Sequence, residues 1–125
     1  MAYTKQTIIA KTDKFHVNNV QLLAYLDQAR YPWYQFCKSL GIEAVLVHMS
    51  ADFKKEVFNE EQLTITTSLE RLGNTSFTLS QTMTNAEENL IIAAEIVLAT
   101  INKETRIKTP LPQQLRELIH SKSSL

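Results

Sequence analysis

The feature that most constrains this chain is a change of hydrophobic period at Gly41. Before it, Leu22, Leu26, Ala29, Trp33, Phe36 and Leu40 recur at steps of three or four, which places them on one face of a helix. After it the period is two. From Glu43 to Phe53, Val45, Val47, Met49 and Ala51 share one parity, while Leu46, His48, Ser50 and Asp52 take the other, as in a strand covered on one face. Gly41 itself suits the end of a helix, because it tolerates the left-handed conformation that closes one.

The alternation continues downstream. Leu63, Ile65, Thr67 and Leu69 alternate with Thr64, Thr66, Ser68 and Glu70, and Thr75, Phe77, Leu79, Gln81 and Met83 alternate with Ser76, Thr78, Ser80 and Thr82. Gly73-Asn74 between them reads as the turn of an antiparallel hairpin. Leu90 to Ile101 fits a helix or a strand; the unbroken apolar parity of Leu90, Ile92, Ala94, Ile96 and Leu98 favours the strand. Asn102 to Thr109 is polar and reads as a turn with a short extended piece, and Pro112 suits the first position of a short helix ending at Ile119. At the other end, Tyr3 to Lys11 is rich in β-branched and aromatic residues and predicts a strand.

Pro32 interrupts the long helical pattern. It lacks an N–H and clashes with the preceding turn, so a break is expected near Tyr31, with the helix resuming beyond it. The order is then strand, long helix, about four strands and a short helix. That order predicts an α+β domain in which an antiparallel sheet wraps against one long helix. Such a sheet has edges, and pairing them across a two-fold axis protects them, so a homodimer or homotetramer is expected.

A length of 125 residues suits one domain over positions 1–125. Thirteen basic and 13 acidic residues cancel, leaving no electrostatic footprint for nucleic acid or an anionic membrane. The N-terminus lacks the layout of a secretory signal, and the run Leu90 to Ile101 is too short to span a bilayer. The single cysteine, Cys37, fits a reducing compartment and reads as buried apolar filling. We therefore expect a soluble, cytoplasmic protein. His16, His48 and His120 lie far apart without recognised ligand spacing, and neither a metal nor another cofactor is expected.

The chemistry concentrates between Asp13 and Arg30. An acid, a histidine and two adjacent asparagines lead into the helix. Asn18 or Asn19 suits its N-cap, and the first N–H groups of a helix have no partner within it. Those groups favour negative charge and, beside a pocket, stabilise a developing oxyanion, with Asp13 near in sequence as base or nucleophile.

Asp13-Lys14-Phe15-His16-Val17-Asn18-Asn19, followed by Leu22-Leu23-Ala24-Tyr25-Leu26-Asp27-Gln28-Ala29-Arg30, resembles the hotdog-fold acyl thioesterases related to hydroxybenzoyl-CoA thioesterase. That family's pattern is Asp-x-Phe/Tyr-Gly-His-Val-Asn-Asn, then Tyr-Leu-x-Tyr-x-Glu-x-Ala-Arg. The tail from Thr100 to Ile119 is similar to its closing strand, turn and proline-headed helix. The resemblance implies a hotdog fold, and hydrolysis of an acyl thioester of coenzyme A or acyl carrier protein at a site shared between subunits. It implies Asp13 as the nucleophile or general base, the main-chain N–H of Asn19 or its neighbour as the oxyanion donor, and His16, Asn18 and Tyr25 beside the substrate.

One departure stands out. The family's glycine before the histidine is absent, so an ungapped alignment from His16 puts Thr12 at the acid position, and a one-residue deletion restores Asp13. A catalytically silent module that binds acyl thioesters, or serves as an assembly subunit, is therefore the alternative reading. Phe53, His48 and Ser76 are weaker candidates for lining a pocket from the sheet. Asp27 and Arg30, three apart, read as a surface or interface ion pair. A dehydratase or hydratase lacks support, because neither signature run is present.

Overall fold

The computed structural model describes every residue from Met1 to Leu125. The elements follow the expected order: β1 (Tyr3–Ile9), α1 (Asn19–Ala29), α2 (Tyr31–Ser39), β2 (Ile42–Phe53), β3 (Gln62–Leu72), β4 (Ser76–Thr84), β5 (Leu90–Asn102) and α3 (Gln113–Glu117), the last running into a 3₁₀ turn at Leu118–His120. The strands form one antiparallel sheet in the order β1-β3-β4-β5-β2. Pro112 stands one position outside α3, as its N-cap, where its missing N–H is not needed.

The helical stretch breaks at Arg30, which ends α1 and begins α2. Its N–H donates to the carbonyls of Leu26 (3.2 Å) and Asp27 (3.0 Å), and Pro32 falls in the first turn of α2, where a residue without an N–H is tolerated. At the far end Gly41 takes φ +81°, the left-handed geometry a helix terminus requires.

One face of the sheet packs on the helices. Leu63, Ile65 and Leu69 of β3, Phe77, Leu79 and Met83 of β4, and Ile92, Ile96 and Leu98 of β5 meet Leu22, Leu26, Trp33 and Cys37 in a single buried core. The alternation seen in the sequence is realised in β3, β4 and most of β5, with Leu69 opposite Leu79 and Leu79 opposite Ile96; at the start of β5 the register shifts between Met83–Ile92 and Thr84–Leu90, so Leu90, expected on the apolar parity, is exposed and Ile91 is buried instead.

In β2 it fails. The pairing steps from Leu46–Leu98 to His48–Val97, leaving Val47 as an unpaired bulge. The extra residue reverses parity, so Ile42, Ala44 and Leu46 share a face with Met49, Ala51 and Phe53, and Val45 turns away from Met49. The expected grouping of Val45 with Met49 is corrected accordingly.

The two sheet edges differ. The C-terminal tail covers the Tyr3 end of β1: Tyr3 N–H donates to the Ser123 carbonyl (3.4 Å) and Leu125 N–H to the Tyr3 carbonyl (2.8 Å). β2 has no such cover, and it carries exposed Leu46, Val47 and Phe53. No helix is long and apolar enough to cross a membrane.

Candidate active site

A cavity of about 390 Å³ opens at the first turn of α1. His16, Val17, Asn18, Asn19 and Leu22 line one side; Phe53, Lys54, Lys55 and Glu56, at and just beyond the end of β2, line the other. Main-chain hydrogen bonds hold the two sides together. Val17 N–H donates to the Val57 carbonyl (2.8 Å), Ala10 N–H to the Glu61 carbonyl (2.9 Å), and Glu60 N–H to the Ala10 carbonyl (2.8 Å). Val17 and Val57 are fully buried beneath this clamp, which fixes the approach to α1 against the connection between β2 and β3.

Asn18 is the N-cap. Its side-chain oxygen accepts the Gln21 N–H at 2.8 Å, and its carbonyl accepts the Leu22 N–H at 3.1 Å. The N–H groups of Asn19 and Val20 have no acceptor within the chain. They are free to receive a hydrogen bond acceptor from outside, on the end of the helix where negative charge is favoured.

Of the residues singled out from the sequence, His16, Asn18 and Asn19 meet at this cavity, and so does Phe53. Asp13 stands in an exposed bend just before it, outside the cavity walls, and its carboxylate makes no hydrogen bond or ion pair within the chain. The bend is held from both sides, by Thr12 N–H on the Asn59 side chain (2.8 Å) and by Lys14 N–H on the Thr12 hydroxyl (3.1 Å). Phe15 packs edge-on against both His16 and Phe58.

Tyr25 lies elsewhere. Its hydroxyl accepts the Gln21 side-chain amide (2.5 Å) and the Lys11 N–H (3.3 Å), while the same amide donates to the Lys11 carbonyl (2.6 Å). It fastens the start of the Asp13 loop to the second turn of α1. His48 and Ser76 are not among the lining residues.

The expected Asp27–Arg30 ion pair forms, but Arg30 is not a surface partner in it. It is 3% exposed, and besides Asp27 (3.1 Å) it donates to the Gln81 side chain (2.9 Å) and the Tyr34 hydroxyl (3.0 Å).

Lys54, Lys55 and Glu56 escaped the sequence reading, since nothing local marks a strand end as a cavity wall. None of the three is paired, so the cavity carries two free ammonium groups against one free carboxylate. No cluster of three or more His, Cys, Asp or Glu side chains is in position to hold a metal ion. Cys37 is fully buried on the core-facing side of α2, and burial pushes its thiol up to about 11, which makes it a poor nucleophile.

Residues 9–119 match the family described as the thioesterase-like superfamily. The long-chain acyl-CoA thioesterase FadM of Escherichia coli strain K12 is 30% identical over 109 residues, covering 82% of this chain and 83% of the relative. The crystal structure of Slr0204, a 1,4-dihydroxy-2-naphthoyl-CoA thioesterase from Synechocystis, superposes with a TM-score of 0.81 at 22% identity, over 97% of this chain and 98% of that one. YbaW, a probable thioesterase from Escherichia coli, gives 0.77 at 26% identity over 95% and 96%. The five-stranded sheet packed on a broken long helix is thus the hotdog fold expected from the sequence. With the match spanning nearly its whole length, the chain belongs to the thioesterase-like superfamily.

Proposed function

We propose that this protein hydrolyses acyl thioesters of coenzyme A at the cavity beside α1, in a site completed when two copies pair along β2. The observation that carries the reading is the unpartnered N–H of Asn19, which lines the cavity with His16 and Asn18, followed by the equally unpartnered N–H of Val20 in the same helix turn, in a chain of this family. Coenzyme A is preferred over acyl carrier protein as the carrier because FadM, which is 30% identical, is a long-chain acyl-CoA thioesterase.

The reaction asks little of the protein. A thioester carbonyl accepts hydrogen bonds from the helix start, which strengthen as its oxygen gains negative charge. Asp13 takes the proton from a water, the water oxygen bonds to the carbonyl carbon, and collapse of the tetrahedral adduct expels the thiolate, which is then protonated. His16 and Asn18 border the acyl group, and Tyr25 keeps the Asp13 loop in place. The second copy pairs through β2 because that edge is free for its full length and carries exposed apolar side chains, whereas the tail covers part of β1. Pairing walls the open side of the cavity next to Phe53.

One observation favours the silent binding module instead: Asp13 lies outside the cavity walls, and one residue is missing between Phe15 and His16 relative to the family pattern. Thiol release from acyl-CoA esters of graded chain length separates the two. The hydrolase turns over at least one of them; saturable binding of every ester without thiol release establishes the module.

A further inference from the structure

We infer that Phe15 and Phe58 receive the outer part of an apolar acyl chain, and that burying Phe15 on this chain swings the loop before α1 and delivers Asp13 to the cavity. The inference deepens the acyl-CoA reading and rests on it. It begins with the aromatic side chains. The protein has five phenylalanines, and three of them, Phe15, Phe53 and Phe58, are exposed. Phe53 lines the cavity, and the other two join it through His16. Phe15 is 82% exposed and meets neighbouring rings only edge-on: Phe58 at 5.7 Å between centroids and His16, a cavity residue, at 6.3 Å. Phe58, Phe15 and His16 therefore form one continuous path of rings leading out of the cavity. Exposed apolar side chains scattered singly are ordinary, but a contiguous series that opens from a cavity is a surface for an apolar ligand.

The two outer rings are held differently. Phe58 is fixed by a tight turn: its N–H donates to the Glu61 carboxylate (2.9 Å), and its carbonyl accepts the Glu61 N–H (3.2 Å). Phe15 lies on a segment anchored only at its ends. Thr12 N–H is held by the Asn59 side chain and Val17 N–H by the Val57 carbonyl, both at 2.8 Å. Between these anchors the one hydrogen bond, from Lys14 N–H to the Thr12 hydroxyl, stays within the loop. The movable ring and the Asp13 carboxylate are thus two residues apart on one short tether. Asp13 stands outside the cavity walls, so the proposed chemistry requires the tether to move inward. An acyl chain that reaches past His16 supplies the driving force, because Phe15 loses its water-exposed area only by folding down onto the chain against Phe58. Apolar contact made far from the carbonyl is then spent on placing the base, and acyl length acts on kcat as well as on binding.

The test measures kcat and KM over saturated acyl-CoA esters from acetyl to octanoyl, for the full-length parent, Phe15→Ala, Phe15→Leu and Phe58→Ala. In the parent kcat is expected to rise along the series. The ratio of kcat on octanoyl-CoA to kcat on acetyl-CoA is expected to fall about tenfold in Phe15→Ala, to fall in Phe58→Ala, and to recover in Phe15→Leu, which keeps most of the apolar area. Three results overturn the inference: a parent kcat indifferent to acyl length, an equal loss on every ester, or a higher KM for octanoyl-CoA at unchanged kcat. So does a shift of Phe15→Ala to a smaller assembly in sedimentation, which would assign the ring to a contact between copies. If the parent hydrolyses none of the esters, the hydrolase reading fails separately. The inference is then judged by amide exchange with S-octyl-coenzyme A, a thioether that cannot be hydrolysed. Exchange at residues 13–16 slowed in the parent, but not by S-ethyl-coenzyme A and not in Phe15→Ala, upholds it; exchange unaltered by either thioether overturns it.

Discussion

The guanidinium of Arg30 donates to the side-chain oxygen of Gln81 at 2.9 Å, tying the break between α1 and α2 to the centre of the sheet. Gln81 is fully buried, and its amide nitrogen donates to the Leu26 carbonyl and to the Thr67 hydroxyl, both at 3.0 Å. Arg30 is therefore a buried cation whose only carboxylate partner, Asp27, is itself largely exposed. Removing the Gln81 acceptor leaves one N–H of that guanidinium buried without a partner, and an unsatisfied buried donor costs more than the bond contributes. Gln81→Leu is expected to lower stability by about 2–3 kcal/mol in urea unfolding. Arg30→Met combined with Gln81→Leu recovers much of that loss, since neither partner is left unsatisfied. Equal destabilisation by the single and double variants would show that the pair is not coupled.

This network also marks how far the sequence was legible. The alternation in β3, β4 and β5, the hairpin at Gly73-Asn74, the break before Pro32 and the N-cap in the Asn18-Asn19 pair all follow from rules that act over a few residues. Thr67 and Gln81 already stood on the apolar parity, yet the helical partners of Gln81, Leu26 and Arg30, lie 55 and 51 residues away. No local pattern pairs them. The Val47 bulge was hidden for a related reason: β2 is apolar on both parities around it, so the insertion leaves no trace in the alternation. Tyr25 and Lys54 show the same limit at the candidate site, where the tertiary clamp between Val17 and Val57 decides which side chains face the cavity.

Asn18 is both cap and cavity wall, and the two roles separate by substitution. Asn18→Ala removes the acceptor of the Gln21 N–H and is expected to cost about 1 kcal/mol. Asn18→Asp keeps the acceptor and preserves stability. Chemical unfolding of the three proteins reads the difference, and an unperturbed Asn18→Ala midpoint would show the cap to be energetically idle.

Tyr25→Phe deletes the hydroxyl that Gln21 and Lys11 share while keeping the ring. Amide exchange across residues 11–18 is expected to accelerate, with protection elsewhere unchanged. Because small displacements of a reacting group are costly in rate, kcat falls by roughly tenfold with a smaller change in KM. A rise in KM at constant kcat would instead place Tyr25 on the substrate.

Cys37 has its thiol raised from 9.0 to about 11 by burial. The unfolded chain loses this proton near pH 9, and the folded chain holds it until about pH 11, so the folded state binds more protons within that window. The contribution to stability is complete below pH 9 and is lost as pH rises through about 11. Cys37→Ala removes this slope. At pH 8 the native thiol is expected to resist a disulfide reagent and to react fully once the chain is unfolded; fast labelling of the native protein contradicts its burial.

The catalytic carboxylate is tested most directly by Asp13→Asn, which keeps the shape of the side chain and removes its basicity. Thiol release from the best acyl-CoA substrate is measured at saturation, alongside substrate binding. The prediction is a loss in kcat of about 100-fold or more with binding retained, as removal of a general base produces. A variant that turns over as fast as the parent would contradict the placement of the chemistry on the loop before α1.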